Sequence, residues 1–208
     1  MLQYSTIDSN ALDVLKGLMQ IPALDNFYLV GGTALALQYG HRLSVDIDLF
    51  SITEFENESL IAPLEDMFSG FSYRITRNPI GLFGFIDGVK VDFVKHHYHP
   101  IIEKPVIENG IRIFSTPDIM AMKIAAILKR GVKKDFWDIA ELLQHYSVDD
   151  FIHYYTKKYP SQQLLVSVPF ALTYFIDAEE SEDPVSLKGQ TWKSVKKYIQ
   201  QHVNEFLK

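Results

Sequence analysis

Three aspartates occur in segments where polar and apolar residues alternate. Asp46 and Asp48 lie in the segment 45–50, and Asp92 lies in the segment 89–94. Residues two apart in a β-strand share one face and lie about 6.6–7 Å apart along it, so each segment is predicted to be a strand that projects its carboxylates on one side. The apolar residues between them, Val45, Ile47 and Leu49 in the first segment and Val89, Val91 and Phe93 in the second, are predicted to face the core.

Such carboxylates have an evident chemical use if the two strands are neighbours. Adjacent carboxylates repel each other unless a cation lies between them, and hard oxygen ligands suit Mg²⁺ or Mn²⁺. Three of them are enough for two ions about 3.5–4 Å apart, which stabilise the attacking and leaving oxygens of an in-line phosphoryl displacement. An Asp-x-Asp pair alone is more often a solvated turn, and Asp92 alone would be an ordinary strand acid.

A glycine pair precedes the first two aspartates. Gly31 and Gly32 follow a short β-prone run, 27–30, and Thr33 is predicted to cap a helix at 34–39. Without a Cβ, the backbone N–H groups of such a turn can approach a phosphate closely at the start of a helix. The order of strand, glycine pair, helix and Asp-x-Asp therefore predicts a phosphate-binding site beside the carboxylates.

The remaining elements change in character along the chain. Before residue 116 the patterns predict helices at 6–20 and 60–68 and strands at 71–76, 82–86 and 89–94, with a hairpin turn at Asp87-Gly88. After it they predict helices at 119–128, 136–146, 148–159, 161–175 and 192–207, and an exposed acidic loop at 177–186. We therefore predict an α/β core at 1–116 and a helical region at 117–208 packed on it.

Composition limits the partners and the setting. The chain has 208 residues, no cysteine and a formal net charge of −6. No signal peptide and no run of about 18 apolar residues is evident, which predicts a cytoplasmic protein with no membrane partner. Because the overall charge repels phosphate backbones, RNA would need a local basic patch, and the dense basic cluster is Lys129, Arg130, Lys133 and Lys134. An ordinary solvated helix end explains the same cluster equally well.

The segment 27–50 resembles the signature of nucleotidyltransferases related to DNA polymerase β. Its Gly-Gly-Thr, His-Arg and Ser-x-Asp-Ile-Asp-Leu-Phe details are specifically similar to the AbiEii toxin nucleotidyltransferases. The similarity continues at 116–118, Lys123, 129–130 and Lys134-Asp135-x-x-Asp138, and it covers about residues 27–140. One departure is Lys134, where the family usually has an arginine. The positive charge is kept, but a lysine cannot make the two parallel hydrogen bonds of a guanidinium.

The resemblance implies an α+β fold, in which a mixed sheet of the polymerase-β type is flanked by helices and followed by a helical half. It implies transfer of a nucleoside monophosphate from an NTP to a hydroxyl of RNA, such as tRNA, or of protein, with two Mg²⁺ or Mn²⁺ ions and a possible cognate antitoxin. The implied metal ligands are Asp46, Asp48 and Asp92, and Lys123 and Asp135 complete the implied catalytic set. The implied nucleotide-binding residues are Gly31, Gly32, Thr33, Arg42, Ser44 and Lys123.

Other interpretations stay open at this point. The same fold could be catalytically idle and bind a partner, and metal-dependent glycosyltransferases also use Asp-x-Asp, though after a longer nucleotide-binding half. Lys123 could be a lysine at the edge of a helix, and Asp135 an acid favoured by a helix N-terminus. The histidines at 96, 97 and 99 are better explained as a solvated strand end than as zinc ligands, and Tyr154, Tyr155 and Trp192 as core aromatics.

Overall fold

The structure of the protein, a computed structural model, describes residues 1–74, 80–163 and 165–208. Positions 75 and 76 of the predicted third strand and position 164 of the predicted helix at 161–175 lie outside these residues. Within them the strands are β1 (Phe27–Val30), β2 (Ile47–Ser51), β3 (Phe71–Tyr73), β4 (Gly81–Ile86), β5 (Val89–Lys95), β6 (Val106–Glu108) and β7 (Ile111–Ile113). The α-helices there are α1 (Ser9–Leu18), α2 (Gly31–Tyr39), α3 (Asn57–Met67), α4 (Thr116–Ile127), α5 (Lys133–Leu142), α6 (Val148–Lys158), α7 (Val168–Thr173) and α8 (Trp192–Phe206), with 3-10 turns at Tyr4–Thr6, Pro22–Leu24 and Ile176–Ala178.

The described strands form one mixed sheet in the order β3-β4-β5-β2-β1-β7-β6. At its centre β2 runs antiparallel to β1 and parallel to β5. This mixed sheet with flanking helices confirms the predicted α+β fold class. It also makes β2 and β5 neighbours, which the argument about the three aspartates required.

The helical half packs onto the sheet half through a shared apolar core. Phe93 of β5 and Phe136 of α5 belong to the same cluster of buried side chains. From Thr116 onward the described regular elements are helices, apart from an isolated β-bridge between Arg42 and Ser186. Because the core is continuous, the division into 1–116 and 117–208 stays a prediction about organisation.

Local sequence signals account for several helix starts. Ser115 caps α4 by accepting a hydrogen bond from the Asp118 backbone N–H, and Pro117 occupies its first turn. Ser147 and Asp150 form a capping box at the start of α6. The predicted cap at Thr33 is wrong, because α2 already begins at Gly31 and its N-cap residue, Val30, makes no side-chain cap bond.

Two further predictions are corrected by tertiary packing. Strand β2 begins at Ile47, so Val45 lies outside it and is 60% exposed instead of facing the core. His96 is not a solvated strand end: it is buried between the rings of Phe50 and Phe114, and burial lowers its pKa to about 3. The acidic segment 177–186 is exposed along most of its length, as predicted, and its Val185 carbonyl accepts a hydrogen bond from the Leu43 backbone N–H beside the candidate site.

Candidate active site

The three predicted aspartates line one cavity of about 230 Å³ at the centre of the sheet. The parallel register of β2 and β5 pairs Asp48 directly with Asp92, and Asp46 lies just before β2. Other residues that line this cavity are Gly31, Gly32, Thr33, Arg42, Ser44, Lys123, Arg130, Lys134 and Asp135. The sheet therefore brings together the residues that the sequence singled out for metal and nucleotide.

The carboxylates are electrostatically strained. Burial, reinforced by the negative charge of Asp92, raises the pKa of Asp48 above its ordinary value. Lysines partly offset this charge: Lys134 Nζ lies 3.1 Å from Asp46 Oδ2, and Lys90 Nζ lies 2.5 Å from Asp92 Oδ2. The other oxygen of Asp92, Oδ1, is buried and has no hydrogen-bond partner among the described residues.

The glycine pair allows two polar groups to approach the backbone. Gly31 has a φ of +70°, a conformation that side chains disfavour, and a Cβ there would lie 2.9 Å from Asp48 Oδ2. At Gly32 a Cβ would lie 2.0 Å from Arg42 Nη2. Glycine is thus needed at both positions for the carboxylate of Asp48 and the guanidinium of Arg42 to lie against the start of α2.

A buried polar network holds the floor of the cavity, and Asp138 of α5 is its centre. Its Oδ1 accepts from Arg42 Nε at 2.7 Å, its Oδ2 accepts from Arg42 Nη2 at 2.9 Å, and His41 Nε2 lies 2.8 Å from Oδ1. Burial alone would raise the pKa of Asp138, but the charges of Arg42 and Lys123 lower it well below its usual range. Asp138 is therefore a carboxylate held ionised inside the protein.

Lys123 belongs to the same network. Its Nζ lies 2.8 Å from Asp135 Oδ1 and 2.5 Å from Asp138 Oδ2. Burial would lower the pKa of Lys123, yet these two carboxylates raise it, so the ammonium stays charged although it is only 5% exposed. Lys123 and Arg42 thus reach the cavity wall with their charges already compensated by acids behind them.

Thr33 and Ser44 position the chain that leads into Asp46. The Thr33 hydroxyl donates to the Asp46 carbonyl and lies 2.9 Å from Ser44 Oγ. The Ser44 backbone N–H donates to the Thr6 carbonyl. The Thr33 hydroxyl thus holds the backbone at Asp46, and the Ser44 hydroxyl contacts Thr33.

Comparisons with known proteins bear on this arrangement. The family model described as "Nucleotidyl transferase AbiEii toxin, Type IV TA system" matches residues 13–82 and 82–159. The chain belongs to the AbiEii nucleotidyltransferase toxin family. The resemblance seen in the sequence is thereby confirmed.

Relatives of this AbiEii chain extend the match over most of its length. The protein aq_aa25 of Aquifex aeolicus (strain VF5), described as uncharacterized, is 32% identical over 203 residues, which cover 94% of this chain and 95% of the relative. Among solved structures, JHP933 from Helicobacter pylori is similar with a TM-score of 0.59 at 17% identity, covering 96% of this chain and 92% of its own. MenT4, a nucleotidyltransferase toxin from Mycobacterium tuberculosis H37Rv, has a TM-score of 0.55 at 13% identity, covering 94% and 83%. At these identities the two structures show a shared fold.

Two site residues of this AbiEii protein were not singled out by the sequence. In the sequence, Asp138 stands only as the last residue of the family signature, although its position three residues after Asp135 places both on one side of a helix. Lys90 gave a comparable signal, because it lies two residues before Asp92 and therefore on the same face of β5. In both cases only the folded structure shows which charged group the side chain meets.

The predicted basic patch is divided between two environments. Lys129 and Arg130 are exposed, and Arg130 Nε lies 3.5 Å from Asp135 Oδ2. Lys133 Nζ lies 2.8 Å from Asp183 Oδ1, and Lys134 pairs with Asp46. The four residues therefore do not present a single uncompensated cationic surface.

The carboxylates are arranged around the cavity without forming a compact metal cage. Among residues 1–74, 80–163 and 165–208, no group of three His, Cys, Asp or Glu side chains has the geometry to hold a metal ion as it stands. The same residues contain no helix long and apolar enough to cross a membrane. The donor chemistry nevertheless suits a hard divalent cation, because Asp48 and Asp92 repel each other and Asp92 Oδ1 is an unused acceptor.

Proposed function

We propose that this protein is a metal-dependent nucleotidyltransferase that moves a nucleoside monophosphate from an NTP to an acceptor hydroxyl, on RNA such as tRNA or on protein. The hydroxyl oxygen forms a bond to the α-phosphorus, and the bond from that phosphorus to the oxygen that bridges the α- and β-phosphorus breaks. Pyrophosphate leaves, and the hydroxyl proton passes to a base or to water. The observation that carries the proposal is the single cavity in which Asp46, Asp48 and Asp92 face the Gly31-Gly32 turn.

The metal requirement follows from the charges in the cavity. Asp48 and Asp92, with Asp46, would hold Mg²⁺ or Mn²⁺, and occupancy by two ions would require Lys90 and Lys134 to move off their carboxylates. When bound, the metal supplies positive charge to the attacking and leaving oxygens. Because the carboxylates do not form a compact cage, we expect weak binding of metal alone and tighter binding with an NTP, whose phosphates add oxygen ligands.

The chain's own residues divide the remaining tasks. The start of α2 at Gly31 and Gly32 offers backbone N–H groups to the triphosphate. Arg42 and Lys123, fixed by Asp138 and Asp135, place two permanent positive charges in the cavity wall. Lys134, released from Asp46, is free to turn toward phosphate oxygens.

Calorimetry tests the metal and nucleotide part. Mn²⁺ titrated with a non-hydrolysable NTP should bind more tightly than Mn²⁺ alone. The variant Asp46→Asn/Asp48→Asn should lose this coupling, while Asp66→Asn, an exposed aspartate of α3, should retain it. Equal metal affinity in the wild type and the double variant would refute the carboxylate site.

Transfer is tested by incubating the protein with each α-labelled NTP, Mg²⁺ and either total RNA or total protein. Label should enter one of the two pools and should be lost with Asp48→Asn and Asp92→Asn. Nucleotide binding without transfer to either pool would support the idle-fold alternative instead. Because the family is described as part of a toxin–antitoxin system, we also propose a cognate antitoxin, whose gene is expected beside this one.

A further inference from the structure

The sheet continues past Asp92 toward its β3 edge, and there no element formed by residues 1–74, 80–163 or 165–208 covers the groove on the face that carries Asp92. The register pairs Phe83 with Asp92, Phe85 with Lys90, and Ser72 with Phe85, so these side chains share that face. The opposite face belongs to the core, where Leu82, Ile86, Val91 and Phe93 are buried. On the open face lies a groove of about 450 Å³, lined by Ser72, Tyr73, Arg74, Phe83, Gly84, Phe85, Lys90 and Asp92. We call it the sheet-face groove.

The groove combines aromatic and cationic side chains. Phe85 is 49% exposed although it is a large apolar residue, and Phe83 is partly exposed beside Asp92. Arg74 is exposed, and the Lys90 side chain is 45% exposed. Aromatic faces that stack bases, flanked by cations that contact the phosphates, are the usual construction of single-strand nucleic-acid sites. Although the chain has a net charge of −6, Arg74 and Lys90 place positive charge beside the carboxylates, where it would attract a phosphate backbone.

The position of the groove also decides which substrate it would take. Asp92 lines both the sheet-face groove and the candidate active-site cavity, whereas the Gly31-Gly32 turn lines only the latter. In an in-line displacement the attacking hydroxyl and the leaving pyrophosphate lie on opposite sides of the α-phosphorus. With the triphosphate at the glycine turn, the groove beyond Asp92 is the side from which an acceptor hydroxyl arrives.

We propose that the sheet-face groove holds a single-stranded nucleic-acid end, stacked on Phe85 and Phe83, whose terminal hydroxyl is the acceptor beside Asp92. This inference rests on the proposed nucleotidyl transfer and names its acceptor class. Arg74 and Lys90 contact the backbone phosphates, and Lys90 leaves Asp92 as they arrive. The nucleic-acid strand runs on the Arg74 side, because the cavity on the other side of Phe85 and Lys90 is lined by Asp8, Asp46 and Asp87, whose charges would repel phosphates.

Binding of a labelled oligonucleotide tests the groove without requiring catalysis. The probe is a fluorescent eight-nucleotide oligopyrimidine, as RNA and as DNA, titrated with protein in the absence of NTP and divalent metal. Loss of one stacked base in Phe85→Ala should weaken binding about 5- to 150-fold. Phe170→Ala, which removes a similarly exposed phenylalanine from α7, should leave it unchanged. Preference for the RNA or the DNA probe identifies the sugar of the acceptor.

The charge contribution has its own readout. Arg74→Gln and Lys90→Gln should each reduce the slope of log affinity against log salt by about 0.7, whereas Lys104→Gln, at an exposed position in the loop before β6, should not. Thermal midpoints of all variants establish that they are folded. NTP affinity in the presence of Mn²⁺ should be the same for Phe85→Ala and the wild type.

The outcomes separate this inference from the proposed function. Equal oligonucleotide binding by Phe85→Ala and Phe170→Ala would overturn the groove, as would absence of binding by the wild type. Transfer of label to protein with no effect of Phe85→Ala would also overturn it, while leaving nucleotidyl transfer intact. Weakened oligonucleotide binding by Phe85→Ala together with absence of transfer to any acceptor would support nucleic-acid binding in the groove, but it would refute the proposed reaction and with it the role of the bound end as acceptor.

Discussion

The buried network around Asp138 provides a test of what organises the cavity. Asp138→Asn keeps the shape of the side chain but removes the negative charge that faces Arg42 and Lys123. Asp138 is fully buried and Arg42 is 3% exposed, so solvent cannot replace the lost charge. Removing one partner of such a buried ion pair costs about 3–5 kcal/mol, a large part of the about 5–15 kcal/mol by which a domain is stable.

Urea unfolding at pH 7, followed by circular dichroism, measures this cost. With an m-value of about 2–3 kcal/mol/M, the expected loss lowers the unfolding midpoint by about 1–2 M. Asp66→Asn is the matched control, because this exposed side chain carries the same charge and should change stability by less than about 0.5 kcal/mol. Nucleotide transfer should also fall, since Arg42 loses the carboxylate that orients it over Gly32.

The pH dependence distinguishes a charge effect from a packing effect. The pKa of Asp138 is lower in the folded protein than in the unfolded chain, where it is about 3.9. Its ionised form therefore stabilises the fold fully above pH 4, and the contribution is lost as the pH falls toward the folded pKa. The difference between wild type and Asp138→Asn should be constant from about pH 5 to 8 and shrink below about pH 4. A difference below about 1 kcal/mol at pH 7, or one that persists unchanged at pH 3, would refute this reasoning.

Two further predictions concern the acidic and basic sides of the cavity. Asp48→Asn should abolish transfer yet leave the free energy of unfolding unchanged or raised in metal-free buffer at pH 7, because the raised pKa of Asp48 means that folding disfavours its charged form. The stability of the wild type relative to this variant should fall as the pH rises above about 4. A large loss of stability of the variant in urea would instead reveal a structural role of Asp48. Lys129→Gln should weaken RNA binding and reduce its salt slope by about 0.7. Lys133→Gln/Lys134→Gln should change the slope less, because Asp183 and Asp46 already pair with those lysines, as Asp135 does with Arg130. Equal slopes in both variants would remove the patch from RNA binding.

The alternation of the sequence by itself predicted which side of each central strand carries the carboxylates. Side chains alternate with a period of two whatever the strand's neighbours are, so Asp48 and Asp92 had to oppose the buried Ile47 and Val91. The helix starts at Ser115 and Ser147 were equally predictable, because a capping hydroxyl contacts only the next few residues. The family signature added the metal and nucleotide roles of these residues, which remain proposals.

What the local pattern does not contain is the order of the strands and the partners of the buried charges. Asp48 meets Asp92 only because β5 inserts beside β2 in parallel, and Asp138 meets Arg42 across 96 residues of chain. The same tertiary packing exposes Val45, turns Thr33 toward Asp46 and seats the segment 177–186 against Leu43. Such contacts depend on which elements bury their apolar faces against each other. The local sequence around a charged residue does not show whether its side chain will be solvated or will form an ion pair. Tertiary structure alone therefore decided which aspartates share a cavity and which one anchors Arg42 and Lys123.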